Sequence, residues 1–257
     1  MLLPRTYALL LPSVLSSLTP VFGQTKVELS WGSSIFEEKM ILSDGSSLDP
    51  ANLIIEFGSF DNSFAPDHTN MGQWLGEWRV FDAVKDTDPT TATNDTDPND
   101  SFTNQSGGTE TARYEGMAHL LADATSDSVD AAPSYTWSPG EQGYLFIRTS
   151  DNFVPSTEWV LLTSNSAGQH VGDSVWEFPA VTGGQGQFPL AWWLDDADAA
   201  VFGAVDGGSG NGGDTGGGDF TDTSTDFGLR LHRIPEPGTG LLALLSAPAF
   251  FRRRRRP

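Results

Sequence analysis

The sequence predicts a mostly β chain folded as an antiparallel β-sandwich, jelly-roll-like in form, with long disordered acidic loops. Three observations predict it. Dense or alternating apolar runs of strand length recur between Gly- and Pro-rich turns. The regular alternation of strand and helix that a doubly wound sheet or a barrel enzyme requires is absent. Two long stretches are built almost wholly from Asp, Thr, Asn, Gly, Ser and Pro, and these cannot bury enough surface to offset chain entropy.

Taken in order, residues 26–31 (Lys-Val-Glu-Leu-Ser-Trp) alternate as a half-buried strand does. Residues 52–57 read as a central strand that ends at Gly58, and residues 74–81 (Trp-Leu-Gly-Glu-Trp-Arg-Val-Phe) as an aromatic strand. Two pieces compete as helices: residues 36–40, too short to stand alone, and residues 113–122, which suit either state. The clearest β unit is residues 142–149 followed by 157–163, joined by the turn-rich loop 150–156 and introduced by Pro139-Gly140. Residues 174–179 read as a strand stopped by Pro179.

These elements divide the chain into five parts. Residues 1–23 form a signal peptide, and residues 24–205 a β-sandwich domain with a mobile insert at 86–108. Residues 206–226 form a flexible Gly/Asp-rich segment, 227–233 a last strand, and 234–257 a C-terminal signal.

The first 23 residues carry one basic residue, Arg5, then an apolar run, then small or neutral residues ending at Gly23-Gln24. That order describes a secretory signal peptide cut between Gly23 and Gln24. A buried N-terminal helix is disfavoured by Pro4 and Pro12. The other end reads Pro235-Glu236-Pro237, then an apolar segment at 238–251, then Arg252, Arg253, Arg254, Arg255 and Arg256 before Pro257. This resembles the PEP-CTERM sorting signal in all three parts and in their order. The resemblance covers about the last twenty-five residues. It implies export, transient membrane insertion of the C-terminal segment, and cutting near the motif by an exosortase-type peptidase. It further implies residence at the cell envelope, the cell surface or the extracellular matrix.

Physical chemistry supports the same topology. Arginines resist translocation, so the basic tail acts as a stop-transfer element with Pro235, Glu236 and Pro237 on the outer side. As a transmembrane helix the fourteen residues 238–251 would span about 21 Å against a hydrocarbon core of about 30 Å. Pro248 lies inside them, so the anchor is weak.

Composition narrows the function further. Six of the 14 basic residues, Arg5 and the five terminal arginines, fall in the two end segments, against one of the 34 acidic residues, Glu236, which leaves eight basic and 33 acidic residues. Such a surface excludes nucleic acid as a partner. With no cysteine there is neither a disulfide framework nor a thiolate metal site.

Asp95, Asp97 and Asn99 give the oxygen alternation of a calcium loop, but Asp100 stands where the glycine is needed and no Glu closes the loop. Asn94, Asn99 and Asn104 open glycosylation-type sequons. His68, His119, His170 and His232 are scattered, without zinc-ligand spacing. No Gly-x-Ser-x-Gly elbow is present. Asp195 and Asp196, beside Trp192-Trp193, are the least arbitrary acid pair, yet adjacent strand residues face opposite ways.

The eight tryptophans are expected to pack the core. Trp192 and Trp193 are the exception, because neighbours on a strand cannot both face inward; they are the candidate sugar-stacking residues. The sequence therefore predicts an exported, non-catalytic protein without a cofactor. The alternative is an extracellular carbohydrate-binding module with polysaccharide as partner, and more remotely a secreted hydrolase.

Overall fold

The computed structural model describes residues 26–33, 40–46, 53–61, 63–84, 101–104, 112–165, 175–181, 189–205 and 229–235. The cleavage pair Gly23-Gln24, the calcium-like residues Asp95, Asp97 and Asn99, the segment 206–226, Glu236, Pro237 and the terminal arginines lie outside these residues.

The body is mostly β. A four-stranded sheet contains β1 (Lys26–Gly32), β5 (Ser101–Asn104), β6 (Ala112–Leu121) and β9 (Leu190–Trp193), in the order β5-β6-β1-β9. A six-stranded sheet contains β3 (Ile54–Phe60), β4 (Trp78–Val84), β7 (Tyr144–Arg148), β8 (Glu158–Thr163) and β10 (Ala199–Phe202), in the order β10-β8-β7-β3-β4; β13 (His232–Arg233) joins it on β8. A small third sheet holds β2 (Met40–Ile41), β11 (Ala204–Val205) and β12 (Leu229–Arg230). Pairing is antiparallel except at β1–β9 and β2–β12, which are parallel.

The alternation in residues 26–31 has the expected result. Val27, Leu29 and Trp31 are buried while Lys26 stays exposed. The doubtful segment 113–122 is a strand, because Tyr114, Gly116, Ala118 and Leu120 alternate at period two and β1 pairs along it from Leu121 to Glu115. Trp31 lies opposite Gly116, and a Cβ there would stand 2.3 Å from the indole. Only glycine leaves room for that ring.

The two larger sheets face each other across one core. The four-stranded sheet contributes Leu29, Trp31, Tyr114 and Trp192, and the six-stranded sheet Phe57, Phe81, Ile147 and Leu162. Phe57 sits between them, 5.7 Å from Trp31 and 4.8 Å from Trp192, ring centre to ring centre. Trp31 also donates its indole N–H to buried Asp82 at 2.8 Å, tying the sheets by a hydrogen bond. Each buried tryptophan removes roughly 150–250 Å² from water, about 4–6 kcal/mol gross at ~25 cal/mol/Å². Core packing of this kind takes the place of disulfides in a cysteine-free chain.

The sandwich has a further layer that the sequence reading lacks. The outer face of the six-stranded sheet carries Phe60, Trp78, Phe146, Trp159, Leu161 and Phe202. Met71 and Trp74, from a helical turn (Met71–Gln73) and the short α1 (Trp74–Glu77), cover it together with Ile234. This two-sided burial explains why β7 and β8 read as dense apolar runs and not as alternating ones.

Four expectations are corrected. Residues 74–81 are a helical turn followed by a strand, because Trp74 folds back to donate its indole N–H to Asn70 at 2.8 Å. Of the expected strand 174–179, the described residues 175–179 make a single bridge, Glu177 to Gln142, in place of a strand. The insert 86–108 is interrupted by β5, which pairs on β6. The last strand is two strands: β12 lies in the small sheet and β13 in the large one, with Leu231 between them. The switch is matched by β10 and β11, which part at Gly203, where φ is +86° and a Cβ would meet the Arg230 carbonyl at 2.9 Å.

Candidate functional site

The C-terminal exit is built by β8 and β13. His232 pairs with Trp159 and Arg233 with Glu158. Glu158 is buried and accepts the Ser43 amide at 2.8 Å, the Ser43 hydroxyl at 2.7 Å and Arg233 Nε at 3.2 Å. Its carboxylate thus pins both β13 and the turn after β2. Ile234 donates its N–H to the Thr157 carbonyl at 3.0 Å, and its side chain is 2% exposed. Pro235 has no N–H to continue the ladder, and it is exposed.

Pro235 borders an open groove of about 360 Å³, with His68, Asn70, Met71, Gln73 and Phe153 among the other residues of its wall. The groove floor is rigid in its hydrogen bonding. Asp67 accepts the Thr69 amide, which holds its carboxyl below the usual range, and Asn70 Oδ1 accepts both the Asp67 amide and the Trp74 indole.

A smaller cleft of about 200 Å³ lies between Phe60, Asp61, Phe64, Glu141, Gln142 and Tyr144. Buried Glu141 accepts the Ser59 hydroxyl, the Tyr135 hydroxyl at 2.9 Å and the Ser138 amide at 2.8 Å, so it fastens the loop before β7 to β3. Burial pushes the Tyr144 phenol up to about 12. Burial, and then the bond to Glu141, push the Tyr135 phenol up as well. Both phenols therefore stay protonated, as O–H donors, throughout the neutral range. The cleft offers hydrogen-bonding groups beside aromatic walls, suited to a small polyhydroxylated group.

The sequence-predicted residues fall apart in space. Trp192 is 1% exposed and packs on Phe57 and Phe178, so it has no free face for a sugar ring. This corrects the stacking assignment for Trp192: its parallel register with Trp31 turns it into the core. Trp193 is half-buried, on the opposite side of the strand. Asp195 and Asp196 lie in a helical turn, Leu194–Asp196, and not on a strand; Asp196 is buried.

The three described histidines remain separate, and His170 lies outside the described residues. His68 stands 3.5 Å from Asp67, His119 bridges Asp127 at 3.0 Å and Glu28 at 3.8 Å, and His232 packs edge-on to Phe202. Among the described residues no group of three or more His, Cys, Asp or Glu is arranged to hold a metal ion.

Sequence reasoning missed the buried charge network on the outer face of the six-stranded sheet. Arg148 donates to Glu56 at 2.8 Å and to Asp151 at 2.6 Å, and Glu56 also accepts the Trp78 indole at 2.7 Å. The available signal was opposite charges set inside two dense apolar runs, where an unpaired charge is too costly to keep.

Among the described residues no helix is long and apolar enough to cross a membrane. No family model, no curated protein and no solved structure matches this chain.

Proposed function

We propose that the chain is an exported, non-catalytic β protein, sorted to the cell envelope or extracellular polymer matrix by its PEP-CTERM-like C-terminus. The export machinery and an exosortase-type peptidase are its processing partners. One observation carries the reading: the packed body extends to Ile234, and the motif Pro235-Glu236-Pro237 begins at the next residue, with Pro235 exposed. A cut near the motif removes the apolar segment and the arginines without taking any described strand. The buried acids support a structural role, because Glu56, Glu141 and Glu158 each bind framework groups. The test is the intact mass of the protein from cell-surface and medium fractions. Termini near Gln24 and near Pro235–Pro237 are expected; a chain that keeps Arg252–Arg256 overturns the reading.

The second reading, a carbohydrate-binding body, is favoured by the cleft at Asp61, Phe64 and Tyr144 and no longer by Trp192. Polysaccharide pull-down that Tyr144→Ala abolishes, with the melting temperature retained, would select it. Equal retention of polysaccharide by the wild type and the variant would dismiss that cleft.

A further inference from the structure

We infer that the end of the sandwich from which the C-terminal segment leaves is a membrane-docking face, with Phe153 and Val154 inserted into the outer lipid surface while the tail is embedded. The inference rests on the sorting reading above and adds a contact that the sorting signal does not supply.

The first observation is the position of exposed apolar surface. Among the described residues three large apolar side chains are exposed: Val129, Phe153 at 45% and Val154 at 42%. Two of these three are adjacent in the loop between β7 and β8. Phe153 shares the wall of the groove with Pro235, so the apolar tip and the exit of the tail lie at one place.

The second observation is that this loop is held in shape. Thr157 shares its one hydroxyl proton between the Asn152 and Val154 carbonyls, both at 2.7 Å, and donates its amide to the Val154 carbonyl at 2.9 Å. The Trp159 indole donates to the Ser150 carbonyl at 2.9 Å, and the Phe153 ring lies 5.6 Å from that indole. A loop tied this firmly presents its apolar tip without further ordering on contact, which lowers the entropic cost of docking.

The third is reach. Ile234 is fixed in the core, and only Pro235, Glu236 and Pro237 separate it from the apolar segment 238–251. Three residues span at most about 10 Å. Once that segment is in the bilayer, this end of the body cannot stand further than that from the lipid surface. Interfacial apolar side chains sink about 5–10 Å into the headgroup boundary, so the reach and the depth match.

Charge does not drive the contact. The body is strongly acidic and gains nothing from anionic lipid, while Asp151 beside the tip is paired with Arg148. The occupant is therefore a zwitterionic lipid surface, and contact should be insensitive to salt.

The chain contains no cysteine, so single cysteines can be placed at will in the full-length protein. Phe153→Cys, Val154→Cys, Val129→Cys and Leu244→Cys variants, each carrying an environment-sensitive fluorophore, are mixed with phosphatidylcholine vesicles that hold or lack a quencher-bearing lipid. Labels at 153, 154 and 244 should lose emission to the quencher, and clearly more than the label at 129, as entry into the headgroup boundary requires. The label at 129 should keep its emission, and salt should change none of these results.

Labels at 153 and 154 no more quenched than that at 129 overturn the docking face. If the label at 244 is then quenched, the tail inserts and only the docking face fails. If it is not, the docking face still fails, and the sorting reading is judged separately by the intact mass of the processed chain. A label at 153 already blue-shifted without vesicles means that the chain's own tail covers the groove, which also overturns the lipid contact.

Discussion

Replacing Arg148 by Met should cost more than any surface change in this chain, and the structure sets the size of the effect. Arg148 is 5% exposed at its side chain and Glu56 11%. The guanidinium binds Glu56 at 2.8 Å and lies 4.6 Å over the Phe146 ring. Met fills much of the same volume but leaves the Glu56 carboxylate inside the sheet with only the Trp78 indole as donor. Breaking one side of a buried pair costs about 3–5 kcal/mol. In a body of this size that lowers Tm by roughly 6–20 °C. The pairing to Asp151 adds little, because that carboxylate is 62% exposed. The assay is chemical denaturation of the full chain followed by tryptophan emission, in a double-mutant cycle with Glu56→Gln. Gln keeps an acceptor for Trp78 and carries no charge, so Arg148→Met made in the Glu56→Gln background should cost at least about 2 kcal/mol less than it does in the wild type. If Arg148→Met alone costs under about 1 kcal/mol, or the two changes simply add, then the pair is solvated in solution and the reasoning fails.

Other outcomes follow from single contacts. Gly116→Ala places a Cβ 2.3 Å from the Trp31 indole; a loss of about 1–3 kcal/mol is expected, and an unchanged denaturation midpoint would show that β1 and β6 separate easily. Tyr144 is raised from 10.0 to about 12 by burial, so its contribution to stability is whole below about pH 10 and is lost as pH climbs through 12, where the unfolded chain has released the proton that the folded chain retains. Tyr144→Phe should flatten that alkaline decline, and an identical pH–stability curve would place the phenol in water. A chain ending at Pro235 should keep the wild-type melting temperature within a few degrees, whereas one ending at Leu231 loses β13 and the Ile234 anchor; equal melting of the two would mean that β13 contributes nothing.

The sequence announces its local structure better than its long-range pairing. Strands β1, β7 and β8 were legible, and β3 was except for its end, because their apolar content follows directly from which faces are buried; β3 passes Gly58 through a bulge and runs on to Phe60. The segment 113–122 was ambiguous only while its partner was unknown; opposite β1, a period of two is the one that buries Tyr114, Ala118 and Leu120. The cover over the outer face was not legible, since Trp74 and Trp78 are equally aromatic and only the hydrogen bond to Asn70 turns Trp74 back over the sheet. Trp192 shows the same limit. Alternation says that one of two adjacent tryptophans points inward, but which one depends on the parallel pairing with β1, 161 residues away in register between Trp31 and Trp192. Candidate cleft residues such as Glu141 escaped notice because an isolated acid in a loop carries no pattern until Ser59 and Tyr135 converge on it.

The two proposed processing points and the packed body stand in a definite relation. Strand β1 begins at Lys26, two residues after Gln24, and the core closes at Ile234, one residue before Pro235. Both cuts therefore fall against the body, not at the far end of a linker. If the proposed C-terminal processing takes place, this arrangement makes it depend on folding. While β13 is paired on β8 and Ile234 is buried, Pro235 is held at the groove and the motif has only the reach of its own backbone. If β13 is unpaired while β12 stays in the small sheet, the four residues His232 to Pro235 are released and the peptidase site can move away from the body by about 13 Å more. A change that frees β13 without unfolding the rest, such as Ile234→Asp, should thus alter the rate of tail removal relative to the wild type. The comparison is the ratio of cut to uncut chain in cells, read by mass at matched expression. An unchanged ratio would mean that the peptidase acts before β13 docks, and the order of events would then be sorting first and closure of the sheet afterwards.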